Sequence, residues 1–154
     1  MKFETDKLGP IRSALFVPGN QPDRVDKAVA TVADRVIIDL EDAVAVSQKK
    51  ETRALVRDKI IVHKDRRVLV RVNGLETDFI MGDLEAIVVN ELGGLMLPKT
   101  EDSHQVGEIH QLLVDFEKKQ GLQAGSTAVI LLTESAPVSY THLRAHETYI
   151  TISC

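Results

Sequence analysis

Residues 36–42 read VIIDLED, an apolar, mostly β-branched run that passes directly into acidic residues. A short apolar run without polar alternation is typical of a strand that is buried on both faces of a parallel sheet. The same change from apolar to charged residues occurs in VLVR at 68–71, LMLPK at 95–99 and VILLTE at 129–134. The sequence therefore predicts a set of buried strands, each with a polar residue at its carboxyl end.

Helical segments are predicted between these runs. The first run, IRSALFV at 11–17, is closed by a Pro-Gly-Asn loop, and apolar residues then recur at helical spacing over 25–32. Further helical patterns cover about 47–63, 79–88 and 106–116. Five strands and four helices thus alternate, which predicts an α/β fold with a parallel sheet covered by helices.

Two architectures fit this alternation. A doubly wound open sheet usually carries a glycine-rich phosphate loop after its first strand, and the sequence contains neither G-x-G-x-x-G nor a P-loop. A (β/α)₈ TIM barrel needs no such loop, and it collects its active-site residues at the carboxyl ends of its strands. The pattern of strands and helices therefore leaves a barrel and an open sheet about equally open.

Candidate site residues stand at the predicted strand ends: Asp39, Glu41, Arg71, Lys99 and Glu134. Carboxylates are the ligands that a hard cation such as Mg²⁺ prefers, and the arginine fork suits a carboxylate or enolate oxygen. The combination indicates enolate chemistry.

Each of these residues also has a purely structural interpretation. Arg71 lies in an apolar strand, where a structural ion pair with Asp39 or Glu41 would offset the cost of its burial. Glu134 and Asp39 are alternatively capping or turn carboxylates. Lys99 is more often a solvated strand end than a Schiff-base lysine, which needs a desolvated apolar pocket.

Five motifs in order resemble those of the citrate lyase beta-subunit and CoA-ester lyase family, within the HpcH/HpaI aldolase superfamily. They are RSALFVPGN at 12–20, DLEDAV at 39–44, VRVN at 70–73, LPK at 97–99 and TESA at 133–136. The resemblance implies a (β/α)₈ TIM barrel, of which this chain would form a part with about five strands and four helices of the eight units. It also implies a homo-oligomer of three or more subunits, bound Mg²⁺, and a 3-hydroxyacyl-CoA or similar thioester as substrate. The implied reaction is a reversible aldol-type cleavage that yields an acyl-CoA enolate and an oxo acid such as glyoxylate, pyruvate or oxaloacetate.

The resemblance also implies roles for single residues. By motif position, Arg71 is similar to the arginine that grips the oxo-acid part of the substrate, and Glu134 is similar to a glutamate that ligates the metal. The pair Asp39 and Glu41 resembles the acidic cluster beside that metal, and Lys99 falls among the substrate-binding residues. A cation and an arginine would both stabilise the negative charge that develops on oxygen.

The loop at Asn20 has two interpretations. Pro22 falls in the first turn of the helix that follows, so free backbone N–H groups are expected there, and a CoA phosphate is a suitable ligand for them. Alternatively, Asn20 is an ordinary N-cap.

Composition narrows the class of protein. A formal net charge of −4 and the absence of tryptophan argue against a nucleic-acid partner. No run approaches the length of a membrane span, and the first thirty residues lack the pattern of a secretory signal. Cys154 is the single cysteine of the sequence, so an internal disulfide bond is excluded. This agrees with a reducing compartment, and a cytoplasmic location is expected.

The composition changes after Ala136, which predicts two regions, a barrel part at 1–136 and an unrelated tail at 137–154. The tail contains both tyrosines and the only cysteine, and SYTHLRAHET at 139–148 resembles a translated sequencing-adapter segment. We therefore expect an assembly artefact there, and no metal site at its histidines. The resemblance places a second metal-ligating aspartate roughly 25 residues beyond the glutamate motif, so this chain by itself is expected to be inactive. Other functions considered are a metal-dependent aldolase acting on free oxo acids and a non-catalytic CoA-binding module.

Overall fold

The computed structural model describes residues 8–132, which form one parallel sheet with helices between successive strands. The strands are β1 Ala14–Pro18, β2 Arg35–Asp39, β3 Val68–Arg71, β4 Gly94–Leu97 and β5 Ala128–Leu131. The helices are α1 Pro22–Val29, α2 Lys49–His63, α3 Ile80–Ile87 and α4 Ser103–Lys119, with a short 3₁₀ helix Val46–Gln48 before α2.

Strand order separates the two architectures that the sequence left open. All five strands are parallel, and their order in the sheet is β1-β2-β3-β4-β5, the same as in the chain. A doubly wound sheet reverses its order at a switch point, whereas successive units of a (β/α)₈ barrel do not. The predicted fold class, five strands and four helices of a TIM barrel, is confirmed.

The core lies on both faces of the sheet because side chains alternate along each strand. On one face, strand residues such as Val36, Ile38, Val70 and Leu97 pack with apolar residues of the four helices. On the other face β2, β3, β4 and β5 supply one large apolar residue each, which are Ile37, Leu69, Met96 and Ile130. This burial on both faces explains why the strands read as continuous apolar runs.

Three local predictions are corrected by the structure. Strand β1 begins at Ala14 and not at Ile11. Helix α1 ends at Val29, and Val32 is fully exposed instead of continuing the apolar side of the helix. The N-cap of α1 is Gln21 and not Asn20, because Pro22 takes the first helical position and the Asn20 amide instead donates to the Gln48 Oε1 at 3.0 Å.

In the part of the chain that the structure describes, none of the helices is long and apolar enough to cross a membrane. The predicted boundary at residue 136 and the tail at 137–154 lie outside the described residues.

Candidate active site

Arg71 and Asp39 form the centre of a charged cluster at the carboxyl ends of β2 and β3. The parallel register makes these two residues direct partners across the two strands. Arg71 Nε donates to Asp39 Oδ1 at 2.8 Å, and Arg71 Nη2 donates to Asp39 Oδ2 at 2.7 Å. This two-point contact is the ion pair that the sequence left open as an alternative for Arg71, and it occupies two of the three guanidinium nitrogens.

Asp39 also organises the loop that follows β2. Its carboxylate accepts hydrogen bonds from the backbone amides of Glu41 and Ala43, at 2.9 and 3.0 Å. Burial by itself raises the pKa of Asp39, but the hydrogen bonds from Arg71 and these amides outweigh it and hold that pKa below its ordinary value. Asp39 is therefore a firmly ionised anchor.

Glu41 is the second carboxylate of the cluster, and it is buried. Its Oε2 lies 3.2 Å from Arg71 Nη1, and its Oε1 lies 3.0 Å from Lys99 Nζ. Both of these oxygens are shielded from solvent. Burial raises the pKa of Glu41, although Lys99 and Arg71 act in the opposite direction. Glu41 thus holds a proton more readily than Asp39 does.

Lys99 follows β4 and has an unusual backbone conformation. Its φ of 52° lies in the left-handed region, which is uncommon for a residue other than glycine. Such conformations concentrate at functional sites, where the surrounding structure holds them in place. Here the conformation accompanies the contact between the Lys99 ammonium and Glu41, so β2, β3 and β4 all contribute to one cluster.

Two further residues belong to the site and were not predicted. The half-exposed Phe16 ring of β1 lies with its centroid 5.4 Å from the guanidinium carbon of Arg71, within the range of a cation–π contact. The buried Lys49 lies behind the acidic loop. The sequence marks Phe16 only as one apolar residue of a strand and Lys49 only as one charge in a polar helix.

Asp39, Glu41, Arg71 and Lys99 are thus brought together as predicted for strand ends. The Asn20 side chain donates to Gln48, and among residues 8–132 it makes no hydrogen bond with any of these four. Glu134 lies outside residues 8–132, so its position stays a prediction. Within that range no group of three or more histidine, cysteine, aspartate or glutamate side chains is arranged to hold a metal ion. The carboxylates of Asp39 and Glu41 instead face the cationic side chains of Arg71 and Lys99.

A sequential parallel sheet with charged residues at the carboxyl ends of its strands defines the class, a domain of the α/β-barrel type. The sequence matches the HpcH/HpaI aldolase/citrate lyase family over residues 12–138, and the chain belongs to this family.

Two characterised groups of proteins in this family are similar to the chain in sequence. Citrate lyase subunit beta of Leuconostoc mesenteroides subsp. cremoris is 36% identical over 127 residues, which cover 81% of this chain and 42% of that protein. A (3S)-malyl-CoA thioesterase of Cereibacter sphaeroides is 34% identical over 108 residues, 69% of this chain and 38% of that protein. The chain thus spans about two fifths of the length of the relatives that it matches.

A solved structure has the same fold. Protein CitE from Mycobacterium tuberculosis, in complex with magnesium, acetoacetate and coenzyme A, superposes with a TM-score of 0.62 at 35% sequence identity. The match covers 84% of this chain and 42% of that one.

Proposed function

We propose that this chain is part of a magnesium-dependent carbon–carbon lyase that cleaves a 3-hydroxyacyl-CoA of the citryl-CoA or malyl-CoA type. The products would be an acyl-CoA and an oxo acid. The observation that carries the proposal is the cluster of Asp39, Glu41, Arg71 and Lys99 at three neighbouring strand ends, in a chain of the citrate lyase family. Opposite charges held at fixed positions suit a reaction in which charge develops on oxygen.

Arg71 is proposed to grip the oxo-acid part of the substrate. Two of its nitrogens are held by Asp39, which fixes the plane of the guanidinium group. Its Nη1 has only looser contacts, 3.2 Å to Glu41 and 3.7 Å to Asp42, and a substrate carboxylate would compete with these two. Lys99, half-exposed beside Glu41, is proposed to add a second positive charge to the substrate site.

Glu41 and Asp39 are proposed to have different roles in proton transfer. Cleavage removes the proton of the 3-hydroxyl, breaks the bond between C2 and C3, and leaves its electron pair on the thioester enolate, which then takes a proton at C2. Glu41, whose pKa is raised by burial, is the better proton acceptor, because a base works best when its pKa lies nearer the operating pH. Asp39, with its lowered pKa, orients Arg71.

Glu134 is proposed as the metal ligand. Mg²⁺ of a CitE structure is the precedent, and a cation bound there would polarise the oxo-acid oxygen on which charge develops. The chain contributes one ligand in this proposal, and the resemblance places the second beyond the TESA motif. We accordingly expect little or no turnover from the 154-residue chain alone.

Partners and location are proposed on the same basis. Asn20 and the first turn of α1 would contact a CoA phosphate through backbone N–H groups, as anions do at helix N-termini. A homo-oligomer of three or more subunits and a cytoplasmic location remain expectations for the protein. We also propose that residues 1–136 make up the barrel part and that 137–154 do not belong to it.

A second function is favoured by one comparison. The (3S)-malyl-CoA thioesterase of C. sphaeroides is nearly as similar to this chain as the citrate lyase subunit, and its name describes hydrolysis of the thioester in place of the carbon–carbon bond. The two reactions give different products from malyl-CoA. The lyase yields an oxo acid and an acyl-CoA, whereas the thioesterase yields malate and free CoA.

The test uses two chains. One is the 154-residue chain, and the other, called the completed chain, joins residues 1–136 to the corresponding C-terminal part of the L. mesenteroides subunit. Each is incubated with MgCl₂ and either citryl-CoA, malyl-CoA or the corresponding free hydroxy acid, and oxo acid, acyl-CoA and free CoA are measured. We expect oxo acid from the completed chain. Free CoA without oxo acid supports the thioesterase, cleavage of free hydroxy acids supports an aldolase, and CoA binding without any product supports a binding module; each of these contradicts the lyase.

A further inference from the structure

Lys49 is a buried lysine that the proposed chemistry does not use. It is the first residue of α2, and only 6% of its surface is exposed. Its Nζ donates to the backbone carbonyl oxygens of Leu40 and Glu41, both at 2.8 Å. Burying an ammonium group costs several kcal/mol unless its N–H groups are satisfied, so a lysine in this position needs a reason.

The partners of Lys49 are unusual for a buried charge. In residues 8–132 no carboxylate lies within ion-pair distance of its Nζ, and its two hydrogen-bond acceptors are backbone carbonyls. Burial lowers the pKa of Lys49, and the more distant carboxylates, Asp83 first among them, act in the opposite direction. The Phe79 ring adds a cation–π contact at 5.5 Å. The ammonium is therefore aimed at the main chain of one loop.

That loop carries the acidic side of the candidate site. Leu40 and Glu41 follow Asp39 directly, so the two carbonyls that Lys49 holds belong to the peptide units that set the direction of the Glu41 side chain. On its other side the loop is held by Asp39, which accepts hydrogen bonds from the Glu41 and Ala43 amides. The loop is thus fixed from both sides, by a carboxylate through its N–H groups and by an ammonium through its C=O groups.

A second, independent set of contacts converges on the same carbonyl. Asn73, just after β3, donates to the Leu40 oxygen at 3.2 Å. Its side chain and backbone N–H both donate to Asp83, at 2.6 and 2.9 Å, and Asp83 accepts from Arg53 Nε at 2.7 Å. Asp83 is fully buried, and Arg53 lies one helical turn after Lys49 on α2. Helices α2 and α3 are thereby connected to the loop through polar side chains, in addition to the apolar packing of Leu40.

We infer that Lys49 is a positioning residue for the cluster of Asp39, Glu41 and Arg71. By holding the carbonyl oxygens of Leu40 and Glu41, it sets the loop conformation in which Glu41 faces Arg71 and Lys99. The inference deepens the proposed function and rests on it for any effect on catalysis. The positioning itself is a property of the folded chain and is measured without turnover.

The test of positioning uses the ¹⁵N-labelled 154-residue chain and the NMR signal of the Arg71 side-chain Nε–H, which the Asp39 hydrogen bond protects from exchange with water. Lys49→Met keeps the length of the side chain and removes its charge and its donors. Lys59→Met is the matched control, because Lys59 lies on the same helix and pairs with Asp26 away from the site. We expect Lys49→Met to shift or broaden the Arg71 Nε–H and the Glu41 amide signals, and Lys59→Met to leave both in place.

A second variant covers the case in which Lys49→Met does not fold. Lys49→Gln keeps one donor group, and we expect it to move the same two signals by less. Unchanged Arg71 and Glu41 signals in either folded variant would overturn the inference, since the loop would then hold its conformation without the ammonium group.

The catalytic consequence is measured on the completed chain. A misplacement of reacting groups by about 1 Å costs about a hundredfold in rate, so Lys49→Met should lower kcat by up to that factor. KM for the thioester should change little, and Lys59→Met should change neither constant. Loss of thermal stability alone, with kcat unchanged below the melting temperature, would show that Lys49 is merely structural. If the completed chain has no activity at all, the proposed function fails, while the NMR result on Lys49 still decides the positioning.

Discussion

At the scale of single residues, the chemistry of the site depends on which side chains share Arg71. The Arg71 side chain is only 14% exposed, and its guanidinium group contacts the carboxylates of Asp39, Glu41 and Asp42, with Asp39 accepting both of the short hydrogen bonds. A planar fork that is held at two points keeps its orientation while its third nitrogen is exchanged between partners. The ion pair with Asp39 is therefore compatible with substrate binding at Nη1.

Arg71→Lys tests this arrangement. A lysine keeps the positive charge but has no planar fork, so it contacts either Asp39 or a substrate carboxylate and not both. In the completed chain we expect kcat/KM to fall by an amount equivalent to about 3 kcal/mol, the range for removal of a charge-stabilising donor. The exposed Arg12→Lys serves as a control, since Arg12 pairs with Asp34 outside the site. Equal kinetics in the parent and Arg71→Lys chains would make Arg71 a purely structural residue.

Glu41→Gln tests the raised pKa of Glu41 through stability. A carboxyl group with a raised folded-state pKa contributes stability that is present below its unfolded-state pKa and is lost as the pH rises through the folded-state value. The parent chain should therefore lose stability between about pH 4 and neutral pH, and Glu41→Gln should not. The free energy of unfolding of Glu41→Gln should accordingly rise relative to that of the parent over this range. Denaturant unfolding at several pH values measures it.

Asp39→Asn should show the opposite trend, because the lowered pKa of Asp39 contributes stability above its unfolded-state pKa that is lost as the pH falls through the folded-state value. Removing one partner of this buried pair should cost on the order of 3 kcal/mol near neutral pH.

The two variants are compared over the same pH range. A Glu41→Gln variant that loses stability relative to the parent as the pH rises would contradict the raised pKa of Glu41.

At the scale of secondary-structure elements, the close approach of β3 and β4 depends on glycine. A Cβ atom built on Gly93 would lie 2.0 Å from the backbone oxygen of Arg66, and a backbone atom has little freedom to move away. Gly107, inside α4, has no atom within 4 Å of its Cβ position. A side chain at Gly93 would therefore clash with the backbone, whereas a side chain at Gly107 would affect only the helix propensity of α4.

Gly93→Ala and Gly107→Ala should consequently have opposite effects on stability. We expect Gly93→Ala to lower the free energy of unfolding by about 2 kcal/mol, as overpacking does, and to shift β4 against β3. Gly107→Ala should raise it by up to about 1 kcal/mol, because alanine is the better helix former. Denaturant unfolding of the 154-residue chain measures both. An unchanged midpoint for Gly93→Ala would show that the turn before β4 relaxes freely.

At the scale of the whole molecule, the two outer strands differ from the three inner ones. Strands β2, β3 and β4 pair on both sides, whereas β1 pairs only with β2 and β5 only with β4 among residues 8–132. Leu15 and Phe16 of β1 are accordingly 39% and 47% exposed, although both belong to an apolar strand. The sheet therefore has two open edges in the described part of the chain, and apolar surface is exposed at one of them.

Binding of Mg²⁺ tests the assignment of Glu134 at this scale. Proteins usually hold this cation by one or two carboxylates together with water and substrate oxygens. We expect the 154-residue chain to bind Mg²⁺ weakly or not at all by isothermal titration, and the completed chain to bind it measurably. Glu134→Gln should abolish binding in the completed chain, whereas Glu108→Gln on the exposed side of α4 should not. Equal affinity in both chains, with Glu134→Gln still binding, would contradict the proposed metal ligand.

The sequence by itself determined the alternation of strands and helices, the parallel sheet and the candidate residues at the strand ends. Local patterns carry this information, because apolar runs and helical spacing depend on neighbours only a few residues away. These patterns left a barrel and an open sheet about equally open. The resemblance of the five motifs to the citrate lyase family implied the barrel, and the strand order agrees with it.

Only the tertiary structure decided how the side chains at the strand ends pair. Asp39 and Arg71 are 32 residues apart in the chain, and their contact depends on the register of β2 and β3, which no local pattern specifies. The same holds for Lys49. From the sequence, a lysine in a polar helix is expected to be exposed, whereas in the structure Lys49 is buried against the loop that contains Leu40 and Glu41. Such contacts arise when elements pack, because packing brings together polar groups that have no other way to satisfy their hydrogen bonds once water is excluded.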